Sequence, residues 1–221
     1  MRRFWHDNGL SLAMFGLFAL FLMAQSVTGF QVYNDDQREH GGSAIGYADY
    51  LHTGHFVEAT FENWESEYLQ MGVYVLFTVY LFQRGSSESK DPDHEEPCDE
   101  DPRLALDRPD VPWPVRYGGP VLRVYEHSLA IALLLLFLIS FVLHAVGGAI
   151  EYSREQLADG GQAVSTVEFM RTSEFWFQSF QNWQSEFLAM GSIVALSIIL
   201  RQRGSPESKP VAAPHSQTGL G

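Results

Sequence analysis

The apolar positions of this chain fall into two long runs, and a shorter run follows each of them. Residues 10–29 and 128–150 carry no charged side chain, and His144 is the one ionisable group within them. A helix of about 20 residues is long enough to cross the roughly 30 Å hydrocarbon core of a bilayer. The shorter runs, residues 68–82 and 187–200, are too short to cross alone. The pattern predicts a helical integral membrane protein.

The chain matches itself when it is shifted by 119 positions. From residue 53 to residue 90, 19 of the 38 positions are identical to those of residues 172–209. The matched residues are chemically diverse, so low complexity does not explain the match, and we expect a tandem duplication. Both copies contain the pattern Asn-Trp-x-Ser-Glu, formed by Asn63, Trp64, Ser66 and Glu67 in the first and by Asn182, Trp183, Ser185 and Glu186 in the second.

Each copy is predicted to hold a long spanning helix, a polar stretch and a second helix. Thr53 and Thr172 are suited to cap the second helices, which therefore begin well before their apolar runs. The first half of each is aromatic and amphipathic, as in an interfacial helix, although a continuous or kinked spanning helix is favoured. The predicted fold class is an all-α integral membrane protein with four transmembrane helices, a tandem parallel duplication of a two-helix unit.

Composition sets the predicted boundaries. Residues 1–90 form the first repeat and residues 114–209 the second. The acidic segment 91–113 between them is predicted to be a disordered cytoplasmic linker, and residues 210–221 a disordered tail. Residues 88–110 have ten acidic and three basic side chains, about half of the net charge of −13, so the acidity says little about a ligand. The single cysteine, Cys98, excludes an internal disulfide.

The distribution of Lys and Arg predicts the orientation. Four spans put both termini and the linker on one side, which holds 11 basic residues against 3 on the other. Positive charge favours the cytoplasmic side, so the termini of this multi-pass protein should be cytoplasmic. Both copies then insert with the same polarity, related by a pseudo-two-fold axis along the membrane normal.

Candidate chemistry lies where the two copies agree. Asn63, Ser66 and Glu67 follow one helical stripe, and Asn182, Ser185 and Glu186 repeat it. A carboxylate within a membrane suggests an ion or proton site, although such residues also join helices through hydrogen bonds or stand in interfacial water. His144 either relays protons or makes one hydrogen bond between helices. Trp64 and Trp183 are predicted interfacial anchors, and Met71-Gly72 and Met190-Gly191 indicate close helix contacts.

Other chemistry is not expected. His55, Glu58 and Glu62 share a helix face, but the second copy has Glu174, Phe177 and Gln181 there, so no metal site is predicted. The sequence has no phosphate-binding loop, nucleophile elbow, CxxC or HExxH motif, which argues against an enzyme and against a cofactor. A chain this acidic, without a basic patch, is not expected to bind nucleic acid.

In three segments the chain resembles an uncharacterised family of bacterial inner-membrane proteins. This family is described only as a domain of unknown function. The three segments are RRFWHDNGLSLAMFGLF, VYNDDQREHG, and GHFVEATFENWESEYLQMGVYVLFTVYLFQRGSSESKDPD with its second-copy counterpart. The resemblance covers the chain outside the linker and tail. It implies a bacterial membrane location and transfers no activity and no catalytic residue.

Two functions are compatible with these features. The first is a non-enzymatic scaffold or accessory subunit that contacts lipid, a second copy of the chain or another membrane protein through its aromatic helices. The second is a small proton or cation channel or transporter with a polar site near the pseudo-two-fold axis, lined by Asn63, Glu67, Asn182 and Glu186.

Overall fold

The computed structural model describes residues 2–219, and every regular element among them is a helix. Met1, Leu220 and Gly221, with the side chains of Arg2 and Arg3, lie outside the described part, so the predictions that fall on them stay predictions. Short 3-10 helices at Pro97–Asp99 and Pro102–Ala105 lie between the third and fourth α-helices. The α-helices are α1 (Arg2–Glu39), α2 (Tyr47–Tyr50), α3 (Gly54–Tyr80), α4 (Trp113–Tyr117), α5 (Gly119–Glu126), α6 (Ser128–Ala158), α7 (Thr166–Phe169) and α8 (Ser173–Leu196).

Two helices within residues 2–219, α1 and α6, are long and apolar enough to cross a membrane. Only 6% of the most apolar window of α1 and 22% of that of α6 is buried, so most of their apolar side chains face away from the protein. Helices α3 and α8 are apolar only in their second halves. The helical class and the two long candidate spans are confirmed, whereas crossing by α3 and α8 stays a prediction.

The second helix of each copy is continuous. A single helix, α3, covers both the aromatic first half and the apolar second half, and α8 does the same. Thr53 Oγ1 accepts a hydrogen bond from the amide of Phe56 at 3.3 Å, and Thr172 Oγ1 accepts one from the amide of Phe175 at the same distance. These bonds confirm the predicted N-caps, because each satisfies a free amide of the first helical turn.

Local structure recurs at the spacing of 119 residues. Helices α2 and α7 begin at Tyr47 and Thr166, and α3 and α8 begin at Gly54 and Ser173. The long helix of each copy ends in the same left-handed glycine turn. Gly41 and Gly160 have φ angles of 75° and 79°, and each following amide donates 2.7 Å to the carbonyl five residues earlier. Only glycine adopts such angles freely, so both turns are Schellman caps.

The chain forms two compact units. The first comprises Met1–Phe61 and Val142–Trp176, and the second comprises Glu62–Phe141 and Phe177–Gly221. Each unit therefore contains segments from both predicted repeats.

The core of the first unit is aromatic. Tyr33, Tyr50, Phe169 and Phe175 are buried, and the Tyr33 and Tyr50 ring centroids lie 5.7 Å apart. Phe169 packs against Phe175 at 5.5 Å, the counterpart of the contact between Tyr50 and Phe56. The short helices α2 and α7 thus each insert a ring between the long and the second helix of their own copy.

Helices α3 and α6 approach each other closely at glycines of the first unit. A Cβ atom added to Gly54 would lie 2.7 Å from the carbonyl oxygen of Gly147, and one added to Gly147 would lie 2.6 Å from the amide nitrogen of Glu58. Both distances are below van der Waals contact, so any side chain here would push the helices apart.

The second unit contains two copies of one polar turn. The amide of Gln83 donates to Ser89 Oγ at 2.9 Å, and the amide of Gln202 donates to Ser208 Oγ at the same distance. In the second copy the buried Lys209 ammonium donates to backbone carbonyls, including those of Gly85 and of Gln217. Burial lowers the pKa of Lys209. The described part of the predicted tail therefore contacts the repeats, while its disorder stays a prediction.

Replacing Gly147 by alanine tests the glycine contact. We expect Gly147→Ala to lower the free energy of unfolding in detergent by about 1–3 kcal/mol, since its methyl group overlaps the α3 backbone. The measurement is a thermal or denaturant unfolding curve. Gly16→Ala in α1 is the matched control, because nothing lies within 4 Å of the added atom. Equal stability of the two variants would contradict the close approach of α3 and α6.

Candidate functional site

The repeated Asn-Trp-x-Ser-Glu blocks lie in the middle of α3 and α8. Ser66 Oγ donates to the carbonyl of Asn63 at 2.8 Å, and Ser185 Oγ donates to that of Asn182 at 2.8 Å. Their surroundings differ, because Ser66 is buried and Ser185 is exposed. The two copies thus share a backbone arrangement but present it to different environments.

The most buried carboxylate of this region is Glu65, between the repeated Trp64 and Ser66. Its side chain is fully buried within the second unit, and its Oε1 accepts a 2.8 Å hydrogen bond from the indole Nε1 of Trp183. The Trp183 ring also packs edge-to-face against Phe180 and Phe137. Glu65 thereby joins α3 to α8 through a buried hydrogen bond from an indole that packs among aromatic rings.

The paired acidic residues of the predicted site lie in the second unit. Glu67 is exposed and Glu186 is partly buried. The proximity of the two stripes stays a prediction. Asn63 is also exposed and Asn182 is half-buried. A polar site for a cation or a proton at these four residues stays a prediction.

His144 lies in the first unit, where it is fully buried. Its ring stacks on Phe175 with a centroid distance of 4.8 Å and an interplanar angle of 28°. In the first copy, Gln25 takes its place and donates to Thr60 Oγ1 at 3.5 Å. His144 therefore packs where the long helix of its copy meets the second helix, and a proton-relay role stays a prediction.

An ion-pair cluster in the first unit was missed by the sequence reasoning. Arg154 donates to Glu151 Oε1 through two nitrogens, at 3.0 and 2.6 Å, and to Asp36 Oδ2 at 3.1 Å. Its guanidinium lies 5.1 Å from the centre of the Tyr33 ring. The i, i+3 spacing of Glu151 and Arg154 indicates their pairing, but no sequence signal links Asp36 to them. The cluster joins α1 to α6.

Tyr50 lies beside this cluster in the first unit. Its hydroxyl lies 3.2 Å from His55 Nδ1, and its ring packs where a side chain at Gly29 would collide with it. Burial, with a smaller contribution from Glu151, raises the pKa of Tyr50 to about 12. The phenol is therefore neutral at physiological pH and acts in hydrogen bonding.

No group of three or more His, Cys, Asp or Glu side chains within residues 2–219 is placed to hold a metal ion. The side chains described above form hydrogen bonds and ion pairs between helices. These contacts join α3 to α8 in the second unit and α1 to α6 in the first.

Comparison with known proteins gives one match. The family described as domain of unknown function DUF6766 matches residues 1–220, which confirms the predicted resemblance to an uncharacterised family. The match itself does not address a bacterial source, a membrane location or the repeated block. No curated protein and no solved structure matches the chain significantly.

Removing the indole donor tests the bond between Trp183 and Glu65. We expect Trp183→Phe to cost about 1–3 kcal/mol of unfolding free energy, because a buried acceptor loses its indole donor. Adding Glu65→Gln should recover part of this cost, since a neutral acceptor is cheaper to leave without that donor. Denaturant unfolding in detergent gives both values. Trp113→Phe, which changes an exposed ring, is the control. Strictly additive effects of Trp183→Phe and Glu65→Gln would contradict a direct bond between the two residues.

Proposed function

Because the chain belongs to this family of unknown function, we propose from its own structure that it is a non-enzymatic membrane protein with four spans, formed by tandem duplication of a two-helix unit. The recurrence of helix starts, N-caps, Schellman turns and the Ser89 and Ser208 bonds at a spacing of 119 residues supports the duplication. The half-identical sequence blocks support it independently.

Exposed apolar side chains support crossing by α3 and α8. Phe77 and Tyr80 on α3, and Leu188, Ile193 and Leu196 on α8, are exposed. A contiguous apolar surface of this kind is costly in water but favourable in lipid. The first half of each helix is aromatic and amphipathic, which fits an entry through the headgroup region. The basic residues favour cytoplasmic termini in a bacterial inner membrane.

The role that this surface supports best is that of a scaffold or accessory subunit. The observation that carries it is the aromatic first half of α8, where Phe177 is 64% and Phe180 is 55% exposed. These rings precede the apolar run, so hydrocarbon does not account for their exposure. Aromatic rings are enriched in protein interfaces, where they bury a large area at a small entropic cost.

Photo-crosslinking from Phe177 tests this role. A photoreactive amino acid at residue 177 should give a discrete protein adduct in membranes, whose mass identifies a second copy or another protein. The control places the same group at Ile139, an exposed residue within the apolar run of α6, where lipid adducts are expected. Membrane-embedded protein that gives no protein adduct at residue 177 would contradict the scaffold role.

A second candidate is a proton or cation pathway, favoured by two carboxylates of the repeated block, Glu67 and Glu186, that belong to the same compact unit. If these carboxylates carry the flux, Glu67→Gln combined with Glu186→Gln should abolish it in proteoliposomes and leave folding intact. Glu95→Gln, in the exposed linker, is the control for a loss of negative charge. A wild-type protein without flux, or a double variant with wild-type flux, would contradict this function.

A further inference from the structure

Two short helices, α4 and α5, precede α6 in the second unit and pack against each other. Val115 of α4 and Leu122 of α5 are buried. Pro114 and Pro120 each lie in the first turn of their helix, where a missing N–H costs no hydrogen bond. Gly118 between the helices has a φ angle of 70°, which lets the chain turn from one to the other. The segment before α6 is therefore a folded element.

Helix α5 has one apolar and one polar side. Val124 and Tyr125 are 60% and 44% exposed. Successive residues of a helix are rotated by about 100°, which places Arg123 and Glu126 on the side opposite to these two. Both charged side chains are also exposed. An exposed helix with charge on one side and apolar residues on the other is typical of an element at a membrane surface.

A shallow pocket of about 420 Å³ opens on the apolar side of α5. Ser128, the first residue of α6, contributes to its wall. The rest of the wall consists of apolar and aromatic residues of α4 and α5, which are Trp113, Pro114, Pro120, Val121, Val124 and Tyr125. Trp113 is 70% exposed. A contiguous exposed apolar surface of this kind marks a contact with lipid or with protein.

The pocket is continuous with the apolar surface of α6. Helix α5 ends at Glu126, and Ser128 Oγ donates to the carbonyl of Tyr125 at 2.8 Å. Leu129 and Ile131, in the first turn of α6, are exposed like the residues of the pocket. The eight residues of α5 span about 12 Å, so all of this helix lies close to the start of α6. Where α6 enters a bilayer, α5 therefore lies at the bilayer surface.

We propose that α4 and α5 rest in the surface of the bilayer where α6 enters it, and that the upper acyl chains of phospholipids occupy their pocket. Lipid is favoured over a protein partner because the first turn of a candidate span bounds the pocket. The exposed rings of Trp113 and Tyr125 are of the types enriched at the boundary between headgroups and hydrocarbon. Arg123 and Glu126 then face water.

This contact gives the element a role in the membrane protein. It fixes the depth at which α6 enters the bilayer, and it holds the end of the acidic segment 91–113 at the membrane surface. The inference rests on the proposed function, since it requires α6 to cross the membrane.

Fluorescence quenching in vesicles tests the contact with lipid. In a Cys98→Ser background, Val124→Cys is labelled with the environment-sensitive dye NBD, and the full chain is reconstituted in equal parts of phosphatidylcholine and phosphatidylglycerol. Lipids with a nitroxide near the glycerol should quench this label more than lipids with a nitroxide near the chain end. Aqueous iodide should quench it less than it quenches the same label at Glu95→Cys, in the exposed linker.

Two further labelled variants serve as controls. Arg123→Cys is the matched control, because Arg123 is adjacent to Val124 in the chain and lies on the opposite side of α5. Its label should be quenched more by iodide and less by the nitroxide lipids than the label at residue 124. Ile139→Cys, at an exposed position in the apolar run of α6, is the reference for hydrocarbon, and nitroxides near the chain end should quench its label most.

Each alternative gives a distinct result. If lipid quenches the label at residue 139 while iodide quenches the label at residue 124 as strongly as that at residue 95, α5 faces water. The inference is then wrong and the membrane location stands. A label at residue 124 that is protected from both quenchers would show that protein covers the pocket, which also overturns the inference.

Two other outcomes concern the orientation of α5 and the crossing by α6. Equal lipid quenching at residues 123 and 124 would contradict an α5 that lies with one side in the bilayer. A label at residue 139 that no lipid quenches would contradict the crossing by α6, and with it both the proposed function and this inference.

Discussion

The close approach of α3 and α6 at two glycines is the constraint on which the first unit depends. At Gly54 and Gly147 the two helices are separated by less than the width of one methyl group. This contact joins a helix of the first copy to a helix of the second. In the same unit, Tyr50 packs over Gly29 and Phe169 packs over Gly148. The aromatic core therefore also requires glycine at these two positions. A larger residue at any of these places would have to displace a helix or a buried ring.

The two copies share their local structure and differ in burial. Glu65 of the first copy is fully buried and holds Trp183, whereas its counterpart Gln184 is exposed. The half-buried Glu58 has the exposed Phe177 as its counterpart. Glu65 thus bonds to α8 from a buried position in α3, whereas Gln184 lies at the surface of α8.

Local features of the fold could be predicted from the sequence. The starts of α3 and α8 and their N-caps at Thr53 and Thr172 follow from residues close in the chain. The close contact predicted at Gly72 is present, because a small residue in an apolar run favours helix packing. The same prediction at Gly191 has no partner within 4 Å of an added Cβ atom, since periodicity shows which face is suited to packing but not what covers it.

Long-range polar contacts could not be predicted. The bonds of Trp183 to Glu65 and of Arg154 to Asp36 each join residues 118 positions apart, and a single sequence carries no signal for such pairings. The repeat pattern indicated Glu67 and Glu186 as site residues, because both copies have glutamate at this position. The same pattern does not indicate Glu65, because the second copy has glutamine at the corresponding position. Identity between copies thus finds what the repeats share, and the residues that join the helices of different copies lie at the positions where they differ.

The central claim is that a duplicated two-helix unit crosses the membrane four times, and cysteine labelling tests it most directly. Three variants each contain one cysteine, at position 43, at the native Cys98 or at position 163. Each variant is treated in spheroplasts with a membrane-impermeant maleimide. Four spans predict that Ser43→Cys and Ala163→Cys are labelled from outside, while Cys98 is labelled only after the membrane is opened. If Ser43→Cys and Cys98 are both labelled in intact spheroplasts and Ala163→Cys is protected, only α1 and α6 cross the membrane, and the four-span account is contradicted.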